Sequence, residues 1–274
     1  MEVLMTYAPL VLLMLATGVV GGLLAGLLGV GGGIVIVPVL DAALALFGVD
    51  SAIRMHVAVG TSLATIVPTS IASARSHHAA GAVDGALVRF WGPLLLLGAL
   101  AGSLTAGWVD GRWLAAVFGA IALIVAMKMI FVSQDRHVWQ AVPRGVAGGA
   151  VPLAIGGFSS WMGIGGGTLS VPVLTLMSQP VHRAVGTSAL FGLVISLPAV
   201  IGFVIIGWGD PRAPAFSLGY VNVLGLMLIA PVTVLMAPVG ARLAHGLSKE
   251  RLSAAFGFFL FVVSARMLYT ASSG

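Results

Sequence analysis

The chain carries one hydrophobic pattern twice, and this internal repeat restricts the possible folds more than any other feature. Each copy has a glycine-rich stretch, then a Val-Pro-Val triplet at a fixed distance, then a His-x-x-x-Gly-Thr-Ser motif. These elements occupy residues 29–33, 37–39 and 56–62 in the first copy and 163–167, 171–173 and 182–188 in the second. Later pairs keep the same order, including Asp84 with Asn222 and Lys128 with Arg266. The repeat covers residues 1–137 and 143–274, and we predict that the two copies together form one domain.

The composition places this repeat in a lipid bilayer. Hydrophobic residues make up 59% of the chain and charged residues 8%, whereas a soluble domain has about 25% charged residues. The net charge of +5 does not indicate a nucleic-acid partner, because the basic residues are scattered singly between apolar runs. The absence of cysteine excludes disulfides and thiolate metal sites. We therefore expect the bilayer as a partner, with no nucleic acid, no metal and no cofactor.

Each copy divides into five apolar segments, which predicts an all-α polytopic membrane protein with about eight to ten membrane segments. The predicted segments are 8–28, 34–47, 54–75, 86–108 and 112–132 in the first copy, and 144–162, 168–178, 184–207, 219–245 and 249–270 in the second. As helices, the second segments would rise only about 21 and 16 Å, less than a bilayer core of about 30 Å. A glycine-rich break followed by a short helix predicts a broken or re-entrant helix pair in each copy.

The basic residues predict the orientation of the copies. If each copy crosses the membrane an odd number of times, the copies are inverted, and both termini lie on one side. With the termini outside, the cytoplasmic side receives Arg75, Arg89, Arg136, Arg144, Arg183, Arg242, Lys249 and Arg251, and the outside receives Arg54, Arg112 and Arg212. This distribution follows the positive-inside rule. We predict two inverted repeats in a bacterial inner membrane, with both termini outside.

The two glycine breaks are the first candidate binding site. Gly31, Gly32 and Gly33 lead into one short helix, and Gly165, Gly166, Gly167 and Thr168 lead into the other. The first turn of a helix has N–H groups without partners and the positive end of the helix dipole, so it attracts anions. In transporters with inverted repeats, such half-helix ends near the midplane bind the substrate. The alternative is that the glycines only allow close helix packing.

The Gly-Thr-Ser motifs supply the second set of candidates. Thr61, Ser62, Thr187 and Ser188 put hydroxyl groups inside apolar helices, where they need a partner in the backbone, in another helix or in a substrate. Two histidines and two arginines lie close to these motifs and are further candidates for contact with an anion: His56, His182, Arg54 and Arg183. Solvated helix caps and snorkelling side chains are the alternatives for these four residues.

The acidic residues, including Asp41, fall near segment ends or in loops of the predicted arrangement. Carriers coupled to protons or cations usually bury a carboxylate inside the membrane, so the pattern favours an uncoupled mechanism. An anion that leaves a negative-inside cell gains about 2.3 kcal/mol per charge per 100 mV. Electrogenic uniport is therefore our hypothesis for the driving force.

Both glycine breaks, each followed by Val-Pro, and both Gly-Thr-Ser motifs resemble those of the sulfite exporter TauE/SafE family of membrane proteins, over nearly the full chain. The resemblance implies a secondary transporter that exports sulfite or a related organosulfur anion such as sulfoacetate, by alternating access around the breaks. An anion channel and a membrane scaffold or assembly subunit remain alternatives, whereas an enzyme is not expected. Glycine-rich faces pack within or between chains, so a homodimer stays open.

Overall fold

The computed structural model describes residues 2–28, 31–131, 146–244 and 249–273. The first half of the chain contains α1 (Glu2–Leu28), α2 (Gly33–Leu46), α3 (Ser51–Ala79), α4 (Gly85–Ala106) and α5 (Gly111–Phe131). The second half contains α6 (Val146–Met162), α7 (Gly167–Leu176), α8 (Val181–Ile206), α9 (Val223–Ala244) and α10 (Lys249–Ser273). Each predicted apolar segment corresponds to one helix, which confirms the all-α polytopic fold.

Five of these helices are long and apolar enough to cross a membrane: Ser51–Ala79, Gly85–Ala106, Gly111–Phe131, His182–Ile206 and Val223–Gly240. Four further apolar helical stretches within the described residues are shorter: Val11–Leu27, Gly33–Leu46, Gly167–Leu176 and Gly257–Ser272. The outer surface carries large apolar side chains such as Leu12, Ile124 and Leu235. Helix α3 is the most enclosed of the five long helices, and its buried face includes hydroxyl groups as well as apolar side chains.

Helix α2 folds back along α1. A β-carbon added to Gly21 of α1 would lie 3.3 Å from Ile36 Cγ1, and one added to Gly32 would lie 2.7 Å from Gly21 O. The chain therefore continues past Gly21 to Leu28, reverses, and returns beside the same part of α1. Helices of 14 and 10 residues, the lengths of α2 and α7, rise only about 21 and 15 Å, so neither spans a bilayer core of about 30 Å.

Equivalent helices of the two halves run in opposite directions. Gly60, near the start of α3, packs against Phe203, near the end of α8, and Ser70, further along α3, packs against Gly192, earlier in α8. Helices α5 and α10 show the same relation, because Gly119 contacts Leu268 and Gly257 contacts Ile130. Two helices with the same place in the repeat are therefore antiparallel in both pairs.

The segment predicted from residue 219 begins differently in the structure. A two-stranded antiparallel hairpin, with β1 (Ser217–Leu218) and β2 (Val221–Asn222), precedes α9. Its turn contains Gly219 at φ 58°, a left-handed conformation that glycine adopts without strain. The prediction failed here because two-residue strands carry no detectable period.

A hydrogen-bonded group of side chains fixes the loop before the hairpin. Asp210 accepts hydrogen bonds from the Arg212 guanidinium at 2.7 Å and from the Tyr220 hydroxyl at 2.7 Å. The Arg212 contact lowers the pKa of the Asp210 carboxyl well below its usual range. Burial, together with the bond to Asp210, raises the pKa of Tyr220 to about 12. Asp210 is therefore ionised and Tyr220 neutral at physiological pH, as this arrangement requires.

Candidate functional site

The two glycine breaks meet inside the protein. A β-carbon on Gly31 of the first break would lie 3.7 Å from Gly165 Cα of the second, and one on Gly33 would collide with the carbonyl oxygen of Gly163. Ile66, in the middle of α3, also contacts Gly31. Because α3 is long enough to cross the membrane, its middle residues mark the central depth of the bundle. The glycine breaks of both halves are thus brought together there.

The breaks use glycine both for backbone conformation and for close packing. Gly31 and Gly32 have φ values of 76° and 75°, and Gly163 has a φ of 65°, a region that side chains other than glycine adopt at a cost. Gly166 has ordinary helical angles, but a β-carbon there would lie 2.9 Å from Phe191 Cβ. The two copies of the motif therefore have different backbone conformations despite their matching sequences.

The threonines of the Gly-Thr-Ser motifs connect the two halves. Thr61 Oγ1 accepts a hydrogen bond from the backbone N–H of Asn222 at 2.8 Å. Thr187 Oγ1 accepts one from the backbone N–H of Asp84 at 3.0 Å. Since Thr61 corresponds to Thr187 and Asn222 to Asp84 in the repeat, each half makes the same contact with the other. The hydroxyl groups of both threonines serve the backbone, so their first function is structural.

The two serines of these motifs differ in their partners. Ser62 Oγ donates to the carbonyl oxygen of Gly163 in the second break at 2.7 Å. Ser188 is completely buried, and its Oγ has no hydrogen-bond partner. An unpaired hydroxyl group in an apolar interior is costly, so Ser188 is a candidate for binding a polar ligand.

Ser188 lines a cavity between the two breaks. The cavity wall contains residues of α1, α3, α8 and α9 together with both breaks: Ala25, Gly31, Thr69, Ser70, Ser73, Gly165, Gly167, Ser188, Ala189, Gly192 and Ala237. The cavity volume is about 10 Å³, the lower limit for one water molecule. Small residues and hydroxyl groups surround this space, which has no charged residue among the described residues of its wall.

Helix α7 begins at this cavity. Gly167, its first residue, lines the wall, and the unpaired N–H groups of a first helical turn point toward the N-terminal end. Two buried hydroxyl groups further along α7, those of Thr168 and Ser170, also have no partner, although neither residue lines the cavity. Donors of this kind, with the positive end of a helix dipole, suit a small anion.

Arg54 lies away from the cavity and is engaged elsewhere. Its Nε donates to Asp41 Oδ1 at 2.8 Å. Asp41 lies within α2 and is 2% exposed, which corrects the expectation that the acidic residues lie at segment ends or in loops. The carboxylate was misplaced because α2 was expected to be mostly apolar, whereas the ion pair with Arg54 makes burial of one acid tolerable.

The two predicted histidines occupy different environments. His56 is buried, and its Nε2 lies 3.0 Å from the carbonyl oxygen of Ala106 and 3.1 Å from that of Val109, so it holds the end of α4. His182 and Arg183 are exposed at the start of α8. None of the three lines the cavity, so the structure separates the charged candidates from the glycine and hydroxyl candidates.

The sequence profile of the family described as Sulfite exporter TauE/SafE matches residues 14–267. This range contains both breaks, both Gly-Thr-Ser motifs and the cavity between them. The chain belongs to the sulfite exporter TauE/SafE family. It is accordingly a multi-pass membrane transporter and not an enzyme.

Relatives of this TauE/SafE protein cover almost its entire length. A probable membrane transporter protein of Haemophilus influenzae is 35% identical over 260 residues, which is 94% of this chain and 97% of the relative. One from Methanocaldococcus jannaschii is 25% identical over 266 residues, 93% and 94% of the two chains. YunE of Bacillus subtilis, also a probable membrane transporter protein, is 25% identical over 289 residues, 97% and 98% of the two chains. No solved structure matches the chain.

Several features of the TauE/SafE protein's site were not among the predicted site residues. Three hydroxyl residues of α3 line the cavity: Thr69, Ser70 and Ser73. Their spacing places them on one polar face of α3, which is the sequence pattern that could have identified them. Gly192 lines it too, but a single glycine in an apolar helix gives no sign of its position. The sequence identified Ser188 as a candidate, but it could not show that its hydroxyl group is unpaired. The two equivalent serines, Ser62 and Ser188, look alike in sequence.

Proposed function

We propose that this transporter exports a small anion, sulfite or a related organosulfonate such as sulfoacetate, by alternating access between two inverted repeats. The anion binds where the two glycine breaks meet and is held by backbone N–H groups and hydroxyl groups. The observation that supports this most strongly is the buried, unpaired Ser188 hydroxyl group at the shared cavity. The sulfur chemistry of the substrate comes from the description of the family.

The electrostatics of the cavity favour an anion over a cation. A cation needs carboxylate or carbonyl oxygens, and no acidic residue lies among the described residues of the cavity wall. The N-terminus of α7 and the unpaired Ser188 hydroxyl group can donate hydrogen bonds into this space, whereas Thr69 Oγ1 already donates to the carbonyl oxygen of Thr65. Since no fixed positive charge balances the anion, its movement carries net charge, and the membrane potential drives it outward.

In this proposal the structure represents a closed conformation, because the cavity is small. A space of about 10 Å³ holds at most one water molecule and no polyatomic anion. Binding therefore requires the walls from α3, α8 and the two breaks to separate. Antiparallel equivalent helices allow this opening to occur toward either side by similar motions of the two halves.

The proposal is tested by uptake of radiolabelled sulfite into proteoliposomes, with and without an imposed membrane potential. We expect saturable uptake that follows the potential. Ser188→Ala should raise KM by about tenfold to a hundredfold, because one hydrogen bond to an anion contributes about 1.5–3 kcal/mol. Ser196→Ala is the matched control, since Ser196 is an equally buried and unpaired serine of α8 outside the cavity wall.

The outcomes separate this proposal from its alternatives. Uptake that does not saturate and is far faster than carrier turnover indicates an anion channel. If folded wild-type protein takes up neither sulfite nor sulfoacetate, the proposed substrates are wrong. A scaffold or assembly function would then be the alternative. Equal effects of Ser188→Ala and Ser196→Ala would remove the cavity as the binding site.

A further inference from the structure

Each short helix is held by a basic residue from the other half of the chain. Lys128 Nζ, near the end of α5, donates to the carbonyl oxygen of Pro172 in α7 at 3.1 Å. Arg266 Nη1, in α10, donates to the carbonyl oxygen of Pro38 in α2 at 2.9 Å. Lys128 and Arg266 are equivalent in the repeat, and so are Pro38 and Pro172. The two contacts are therefore one interaction that the structure contains twice.

Both contacts are made at the same position of the short helices. Each proline is the sixth residue of its helix, so the bound carbonyl points away from the N-terminus that meets the cavity. The sixth residue lies near the middle of these helices of 14 and 10 residues, and a hydrogen bond from a charged donor is stronger than one from a neutral donor. Thr175 Oγ1 also donates to the Pro172 carbonyl, but Thr175 belongs to α7 itself, so Lys128 is the residue that joins this carbonyl to another helix.

The two basic residues belong to helices that pack on each other. Gly119 of α5 contacts Leu268 of α10, and Gly257 of α10 contacts Ile130 of α5. Neither helix contributes to the cavity wall. The α5–α10 pair thus supports both short helices from outside the cavity. Lys128 of α5 contacts α7, and Arg266 of α10 contacts α2.

We propose that Lys128 and Arg266 are a matched pair of positioning residues that hold the two short helices in place and so determine the affinity of the anion site without contacting the anion. This inference rests on the proposed function, because it assigns the short helices to that site. Lys128 is half-buried and Arg266 is exposed. We expect the Lys128 contact to have the larger effect, because a hydrogen bond is stronger in the low dielectric of a more buried site.

The position of the short helices is measured first, without any substrate. The chain has no cysteine, so single reporters can be introduced at buried positions: Ser170→Cys on α7, Ala43→Cys on α2 and Ser196→Cys on α8. We expect Lys128→Met to increase maleimide labelling of the Ser170→Cys reporter about tenfold, the result of losing about 1.4 kcal/mol of local stability. Arg266→Met should increase labelling of the Ala43→Cys reporter by a smaller factor. The Ser196→Cys reporter should stay protected in both variants.

The second measurement is anion transport in the variants without reporters. Lys128→Met should raise KM about tenfold with little change in maximal rate, and Lys128→Arg should restore both KM and reporter protection. Arg89→Met is the charge-matched control, since Arg89 is an exposed basic residue of α4. It should change neither KM nor labelling.

Three results would overturn the inference. Equal labelling of all three reporters would mean that Lys128→Met unfolds the protein, and unchanged labelling of Ser170→Cys would mean that Lys128 does not position α7. Equal rises of KM in Arg89→Met and Lys128→Met would assign the effect to general charge attraction. A failure of sulfite transport would contradict the proposed function alone. The labelling needs no substrate, so it still tests whether Lys128 and Arg266 position the short helices.

Discussion

At the scale of single residues, Thr61 and Thr187 show why a short motif is repeated in this family member. Each accepts a hydrogen bond from a backbone N–H of the opposite half, at 2.8 and 3.0 Å. The glycine before each threonine lets that backbone come close, because β-carbons on Gly60 and Gly186 would lie 2.6 Å from the carbonyl oxygens of Tyr220 and Ala82. Glycine and threonine together thus form a docking point for the start of another helix.

We predict that Thr61→Val lowers the stability of the protein by about 1–3 kcal/mol, because it leaves the buried N–H of Asn222 without an acceptor. Thr61→Ser keeps the acceptor and should cost little. The measurement is the unfolding transition of purified protein in detergent.

Thr233→Val serves as the control for this experiment. Thr233 is fully buried in α9, but its hydroxyl group donates to the carbonyl of Ile229 within the same helix. That carbonyl keeps its backbone partner after the substitution, so the loss should be smaller than for Thr61→Val. Equal losses in both variants would contradict the special contact of Thr61.

The sequence identified these residues better than it identified their partners. Glycine breaks and Gly-Thr-Ser motifs repeat locally, so comparison of the two halves was enough to find them. The ion pair of Arg54 with Asp41 and the contacts of His56 depend on how separate helices pack. No local pattern encodes that packing, so these charged residues were assigned to an anion site from which the structure separates them.

At the scale of helices, the cavity depends on the close approach of α3 and α8. A β-carbon on Gly192 would lie 2.5 Å from Ser70 Oγ, and both residues line the cavity. The helices can approach this closely because glycine has no side chain at the contact. The cavity is therefore sensitive to the volume of the residue at position 192.

We predict that Gly192→Val abolishes anion transport while the protein still folds and reaches the membrane. The added methyl groups fill a cavity of about 10 Å³ and displace Ser70, so the anion has no place to bind. The measurement is uptake into proteoliposomes, normalised to the amount of folded protein.

Gly92→Val is the matched control, because nothing lies within 4 Å of a β-carbon on that residue of α4. It should transport at a rate close to that of the wild type. Full transport by Gly192→Val would show that the anion does not pass between α3 and α8 at this level.

The helices themselves were predictable because a bilayer imposes a length on apolar segments. All ten predicted segments match helices, with ends that shift by only a few residues. The hairpin before α9 was missed, since its strands pair only two residues each and its stability comes from contacts such as that of Asn222 with Thr61. Short irregular structure of this kind is decided by tertiary contacts.

At the scale of the whole molecule, the opposed directions of α3 and α8 and of α5 and α10 fit two copies with inverted orientation. One end of the bundle then contains the turn with Trp108 and Asp110, and the other contains the last turn of α3 with His78 and the following Gly81. The distribution of basic residues predicts that the first end lies outside.

This orientation predicts a simple labelling result in cells. The cysteine-free chain accepts single reporters at Trp108→Cys and His78→Cys, both at exposed positions. We expect a membrane-impermeant maleimide to label Trp108→Cys in intact cells and His78→Cys only after permeabilisation. The reverse pattern would place both termini in the cytoplasm, and labelling of both reporters in intact cells would contradict their location on opposite sides.

The hydrogen bonds that join the halves also bear on the origin of the chain. Thr61 and Thr187 form hydrogen bonds with the opposite half, and so do Lys128 and Arg266. A half-length ancestor with these contacts would have been incomplete as a monomer. It would have needed to insert into the membrane in both orientations and to pair with its own upside-down copy. Gene duplication and fusion would then have joined one copy of each orientation in a single chain. After fusion, Ser62 and Ser188 could acquire different partners.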